Sequence, residues 1–205
     1  KVITVCDANA QSSRFESHLG VILVFSGEQR SHGVLQAIVD AASVTAVRTA
    51  ASSAVATSLL ASASAETLAI IGSGAQARSH VSAMLCVRPS LRCVRVFSRS
   101  EERRQEFAEW IRSEHSNRNL DVVTCATAQE AVRDAEIVCT VTNAGEPVVF
   151  AEWLRQGCHI NAVGAAQAHK RELDSEAVRR SVLVVDRREV SRLSAERSGY
   201  RVSRF

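Results

Sequence analysis

Aromatic side chains make up only 4% of the 205 residues, and neither charge dominates: 25 Lys and Arg against 22 Asp and Glu leave a formal +3. With neither a basic block nor a set of stacking rings, nucleic acid is not expected as the main partner. The pairs Arg103-Arg104, Arg179-Arg180 and Arg187-Arg188 are short, lie beside acids and read as solvated faces. None of the six cysteines (6, 86, 93, 125, 139, 158) forms a C-x-x-C pair, and the histidines show neither H-x₃-H nor H-E-x-x-H spacing. No zinc site, other metal site or disulfide framework is therefore expected. Cys125, Cys139 and Cys158 sit in apolar runs, as small buried hydrophobes of a reducing compartment do. No apolar run approaches the ~18 residues of a membrane span, and no signal-peptide pattern opens the chain. A cytoplasmic protein with no membrane partner is the expectation.

What is present is a phosphate-binding signature. Ala69-Ile70-Ile71 reads as a buried strand, followed by Gly72-Ser73-Gly74-Ala75-Gln76-Ala77 and the opening of a helix. In this G-x-G-x-x-A pattern Gly72 makes the tight turn and Gly74 lets the backbone approach a pyrophosphate. The small Ala77 lets helix and strand pack closely. The unpaired N–H groups at the helix start then face the phosphates. Twenty-five residues after Gly74 comes Arg99, flanked by Ser98 and Ser100 at the tip of a second strand-like run, Val94-Arg95-Val96-Phe97. An acid at that tip would bond the free 2′-hydroxyl of NAD, whereas Arg pairs with the 2′-phosphate of NADP. The sequence favours NADPH.

The first forty residues read as antiparallel β structure at 1–6, 20–26 and 34–40, with turn-forming stretches between. Residues 40–64, rich in Ala and Ser, read as a helix whose apolar face is Val44, Val47, Ala51, Val55 and Leu59. From residue 67 strands alternate with helices: strands at 68–71, 94–98, 121–124, 137–141, 159–162 and 182–186, helices at 76–87, 101–115, 127–134, 151–156 and 174–180. Six such strands make a doubly wound sheet. The expected fold class is α/β, a doubly wound Rossmann-type nucleotide-binding domain at 67–190. Part of a smaller, β-rich α+β domain precedes it at 1–45, with a connecting helix at 46–66 and a tail at 191–205. The chain opens on Lys1 rather than Met and ends without a closing element, so a fragment of a longer protein is expected.

Together with Val47-Arg48-Thr49-Ala50-Ala51 and His159-Ile160-Asn161-Ala162-Val163-Gly164-Ala165, the glycine turn resembles the ornithine cyclodeaminase/mu-crystallin family over almost the whole chain. The mu-crystallin branch is the more similar, on Ser17-His18, Phe97-Ser98-Arg99-Ser100, Thr140-Val141-Thr142, Glu146-Pro147 and Phe150-Ala151-Glu152-Trp153. That branch implies reduction of a cyclic ketimine carboxylate by NADPH. Lys1 matches the family's active-site lysine and Arg48 the arginine that grips the substrate carboxylate. Ser17, His18, Arg48 and Thr49 match cofactor-side contacts; Gly72, Gly74, Ala75 and Gln76 match the phosphate loop. Ser98, Arg99, Ser100 and Arg103 would surround the 2′-phosphate, and Thr142, Asn143 and Val163 would lie along the nicotinamide half. Ser17 and His18 also read as ordinary polar strand-edge residues, and Thr142 and Asn143 as turn residues.

Three further expectations come with the resemblance. The smaller domain would bind substrate and form a homodimer in the complete protein. A thyroid hormone could be a ligand in place of, or beside, the imine. An NAD enzyme of the cyclodeaminase or alanine dehydrogenase type is the alternative activity. Cyclodeaminases, however, carry an acid two places after the glycine of N-A-V-G, where this chain has Ala166. Glu172 or Asp174 is the neighbouring acid that could take its place.

Overall fold

The structure, a computed structural model, describes residues 2–5, 18–27, 33–165 and 170–185. It divides into two compact units, Lys1–Ser52 and Ser53–Phe205. In the first, β1 (Val2–Val5), β2 (His18–Phe25) and β3 (Leu35–Asp40) form an antiparallel sheet in the order β1-β2-β3, as expected. Close approach of β1 to β2 depends on Gly20, where a Cβ would collide with the Val2 carbonyl oxygen.

Helix α1 (Ala41–Leu60) follows β3 directly. Asp40 starts it by accepting the Ser43 N–H at 2.6 Å, and hydrogen bonds from the Ser43 side chain and N–H hold its carboxyl below the usual range. The expected apolar face is not the buried one. Val47, Ala51, Val55 and Leu59 are exposed, while Ala50, Ser53, Ala54 and Thr57 are buried. The reason is polar: Ser53 and Thr57 find partners inside the second unit, as described below. The end of α1 is closed by Arg88, whose buried guanidinium donates to the carbonyls of Thr57, Ser58, Ala61 and Ser62.

The second unit runs β4 (Thr67–Ile71), α2 (Ala75–Val87), β5 (Cys93–Phe97), α3 (Glu101–Glu114), β6 (Asp121–Thr124), α4 (Ala128–Val132), β7 (Ile137–Thr140), a 3₁₀ turn (Ala151–Trp153), β8 (His159–Ala162) and α5 (Ser175–Arg179). The five strands are parallel, in the order β6-β5-β4-β7-β8. Alternation along β4 divides the core between the two faces of the sheet. Leu68 and Ile70 join residues of α2 and α3, while Ala69 and Ile71 join residues of α4. With helices on both faces, the central strands β4 and β7 read as nearly continuous buried runs. Because β4 has β5 on one side and β7 on the other, the winding reverses there, which opens a crevice beyond the strands' carboxyl ends.

Two expectations need correction. Residues 182–185 form no strand and are exposed, and Asp186 lies outside the described residues. An apolar run becomes a strand only where a neighbour pairs its backbone, and among the described residues none pairs this one. The expected helix at 151–156 shortens to a single 3₁₀ turn, with Gly157 at φ +76° after it. Cys125 and Cys139 are buried as expected, whereas Cys158 is half-buried; desolvation pushes the Cys139 and Cys158 thiols up to about 12. Among the described residues no cluster of His, Cys, Asp and Glu is placed to hold a metal, and no helix is long and apolar enough to cross a membrane.

Candidate nucleotide and imine site

The turn after β4 is fixed by its neighbours. Gly72 takes φ +121°, a left-handed conformation, and its N–H donates to the Phe97 carbonyl at 2.8 Å. A Cβ there would sit 2.8 Å from the Val141 carbonyl oxygen, so the turn is threaded between the ends of β5 and β7. Gly74, the residue before α2, is different: a Cβ would meet nothing within 4 Å, and no side chain caps the helix. Intrahelical bonding begins only at Ala77, whose N–H reaches the Gly74 carbonyl. The N–H groups of Ala75 and Gln76 precede that first bond, and the Oε1 of Gln76 is buried without a partner. A close turn, an open surface at Gly74 and unspent donors at a helix start suit a dinucleotide pyrophosphate. The residues present fit such a group.

Beyond β5, no acid stands at the strand tip. Ser98 Oγ donates to the Ser100 carbonyl at 3.0 Å, and Ser100 Oγ accepts the Arg103 N–H, capping α3. Arg99 and Arg103 are exposed beside this turn. Arg104, expected on a solvated face, is instead buried. It donates through Nη1 to the Ser98 carbonyl at 3.0 Å, and its guanidinium carbon stands 5.9 Å from the centre of the Phe97 ring. Its spacing with Phe107, Ala108 and Ile111 is the period of a buried helical stripe, which the sequence does display.

At the ends of β7 and β8 a carboxylate organises the loops. Glu172, 1% exposed, accepts Thr140 Oγ1 at 2.8 Å, the Thr142 N–H at 2.6 Å, Thr142 Oγ1 at 2.8 Å and the Gly164 N–H at 2.6 Å. Four donors on two oxygens tie the loop bearing Thr142 and Asn143 to the one bearing Val163 and Gly164. Asn143 Oδ1 accepts Lys170 Nζ at 2.6 Å, and the Val163 N–H reaches the Thr140 carbonyl at 3.0 Å. Asp174 Oδ1 accepts the Ala151 and Ala177 N–H groups and so caps α5. Both acids named as replacements for the one missing at Ala166 are thus engaged as structural acceptors, and Ala166 itself lies outside the described residues.

Behind the phosphate turn, His80 is fully buried. Its Nδ1 faces the Gln76 carbonyl at 2.7 Å, so that nitrogen carries the proton and Nε2 accepts from Ser53 Oγ at 3.0 Å. Thr57 Oγ1 lies 3.1 Å from His159 Nε2 and 2.9 Å from Asn161 Nδ2, which donates to it. Burial lowers the pKa of both imidazoles.

The site residues thus divide. Gly72, Gly74, Ala75, Gln76, Ser98, Arg99, Ser100, Arg103, Thr142, Asn143 and Val163 all lie at or just beyond the carboxyl ends of β4, β5, β7 and β8. In the first unit Arg48 is exposed on α1, and Thr49 Oγ1 donates back to the Thr45 carbonyl at 2.7 Å. His18 opens β2 opposite Val5. Lys1 and Ser17 lie outside the described residues.

The profile of the ornithine cyclodeaminase/mu-crystallin family matches residues 1–201. Ketimine reductase mu-crystallin of Mus musculus is 39% identical over 191 residues, covering 93% of this chain and 57% of its own. Delta(1)-pyrroline-2-carboxylate reductase of Paracoccus denitrificans is 36% identical over 191 residues, with 93% and 58% covered. The Thermococcus litoralis Delta(1)-pyrroline-2-carboxylate reductase, solved in complex with NADH and L-proline, matches with a TM-score of 0.84 at 35% identity, covering 92% of this chain and 56% of that one. The chain therefore spans a little over half the length of these relatives.

Proposed function

Because the chain belongs to the ornithine cyclodeaminase/mu-crystallin family, we propose that it serves an NADPH-dependent oxidoreductase that reduces the C=N bond of a small cyclic imine carboxylate. The observation that carries this reading is the β5 tip, where Ser98, Arg99, Ser100 and Arg103 stand in place of a ribose-binding acid, next to the Gly72–Gly74 turn. The names of the mouse and Paracoccus relatives support the reaction class. The use of Glu172 and of Asp174 Oδ1 as structural acceptors favours reduction over the cyclodeaminase alternative.

When bound, the nicotinamide supplies the hydride. Arg48 grips the substrate carboxylate, with the bidentate geometry that a guanidinium offers. Lys1 delivers a proton to the imine nitrogen, which makes the carbon a better hydride acceptor; such transfer is worth ~10²–10⁴-fold. Thr142, Asn143 and Val163 flank the nicotinamide half, held by Glu172. Ser17, His18 and Thr49 complete the cofactor contacts. A cytoplasmic homodimer of the complete protein belongs to the same reading, as does the binding of thyroid hormone in the substrate pocket.

The test is a fluorescence titration of the chain with NADPH and NADH side by side. NADPH is expected to bind about tenfold tighter or more, some 1.4 kcal/mol. Equal or tighter binding of NADH, the cofactor in the Thermococcus complex, overturns the NADPH assignment and restores the NAD-type alternative.

A further inference from the structure

Helix α3 turns its buried stripe of Arg104, Phe107, Ala108 and Ile111 toward the sheet, which places a guanidinium at a core position, 9% exposed. A buried arginine is ordinarily paired with a carboxylate, since taking the charge out of water is costly. Among the described residues no carboxylate lies within ion-pair distance of this one. Its Nη1 donates to the Ser98 carbonyl, its plane lies by the Phe97 ring, and its Nε is buried with no partner. Among the described residues that Nε and Gln76 Oε1 are the two buried side-chain polar atoms without a hydrogen bond. They belong to the helix starts after β5 and β4, the two places where a dinucleotide would meet the sheet. Phe97 links them further, because its carbonyl receives the Gly72 N–H.

We propose that Arg104 is a specificity-determining positioning residue for the phosphorylated ribose, a buried cation beneath the β5 tip whose counter-charge is the cofactor's 2′-phosphate. The inference rests on the NADPH reading above. Its bond to the Ser98 carbonyl fixes the turn from which Ser98, Arg99 and Ser100 project. Its charge, set in a medium less polarisable than water and away from salt, acts on a nearby dianion more strongly than exposed Arg99 and Arg103 do. A 2′-hydroxyl gains nothing from that field. Arg104 therefore contributes discrimination between the two ribose forms, without touching the ligand.

The experiment measures binding of 2′,5′-ADP and 5′-AMP to the chain by calorimetry, for the unmodified protein, Arg104→Met and Arg104→Lys, each checked by thermal melting. The unmodified chain is expected to prefer 2′,5′-ADP by about tenfold or more, and Arg104→Met to lose most of that ratio while 5′-AMP binding stays within about twofold. Arg104→Lys keeps a charge without the planar fork and is expected to lose roughly threefold of the ratio. A ratio near one in the unmodified chain sinks the NADPH reading itself. A high ratio kept by Arg104→Met sinks only the role given to Arg104, and so does an equal loss of both ligands, which marks a packing residue. Should Arg104→Met not fold, an unchanged ratio in Arg104→Lys overturns the proposal by itself.

Discussion

Strands β3 and β7 are both largely apolar, Leu-Gln-Ala-Ile-Val-Asp and Ile-Val-Cys-Thr, yet every residue of β3 is exposed and every residue of β7 is buried. Composition does not separate them; what lies over their faces does. A parallel strand is reached only through a crossover, and the crossover helices α2, α3 and α4 come to lie over the faces of the sheet they connect. Among the described residues no such helix covers β3. Ile38 is accordingly 65% exposed, while Ile70, Ile71 and Ile137 are at or near zero. The lesson is that the second unit carries its own core, and the stability of the chain should be concentrated there.

Truncating a side chain in that core gives the largest effect. Phe107, 1% exposed and stacked on Trp110 at 5.9 Å between ring centres, fills the α3 side of the sheet. Phe107→Ala is expected to cost about 3–5 kcal/mol, the lost burial plus the cavity left behind. Urea unfolding of both proteins measures it. A loss below about 1 kcal/mol would mean that the core collapses around the gap, which a packed two-sided sheet should resist.

Acid should act on the same unit, with a smaller effect. Desolvation is the main cause that depresses His80, against opposing pulls from the Gln76 carbonyl and the Glu172 charge. Desolvation likewise depresses His159, with Asn161 opposing and Arg88 assisting. An imidazole whose folded pKa lies below its unfolded value of 6.5 binds fewer protons when folded. Its contribution is intact above that value and is lost as pH falls below it. The slope is at most about 1.4 kcal/mol per pH unit per group. Stability is therefore expected to fall between pH 7 and pH 5.5, still above the range where ordinary carboxylates titrate. A series of urea melts across that interval, repeated with His80→Gln, should show a shallower slope in the variant. Identical slopes would remove His80 from the account.

Much of this arrangement is legible in the sequence, and what is not has a common physical cause. The expected limits of β6 and β8 coincide with those observed, because short apolar runs between polar turns are local signals. The glycine turn is legible because Gly72 occupies a conformation that disfavours other residues. The buried face of α1 is not, since Ser53 and Thr57 become interior residues only through partners 27 and 104 positions away, His80 and Asn161. Glu172 is likewise visible as an acid but not as a strut, because its donors lie on two other loops. Arg104 is the exception: its place on the α3 stripe was available from periodicity, and its charge argued the other way. Non-local polar pairing is what a one-dimensional reading misses.

The weakest expected effect is the sharpest test of the contrast between the two sheets. Ile38 projects from β3 with 65% of its surface exposed, so Ile38→Thr removes little buried area and keeps a β-branched side chain on the strand. The change is expected to stay within about 0.5 kcal/mol in urea unfolding. Since the hydrophobic term scales with area withdrawn from water, at about 25 cal/mol per Å², a cost above about 1 kcal/mol would require Ile38 to be covered in solution. Repeating the measurement at two protein concentrations then separates the sources of cover. A cost that grows with concentration would come from association between chains. One that does not would come from contacts within a single chain, and the sheet would then no longer contrast with the parallel one.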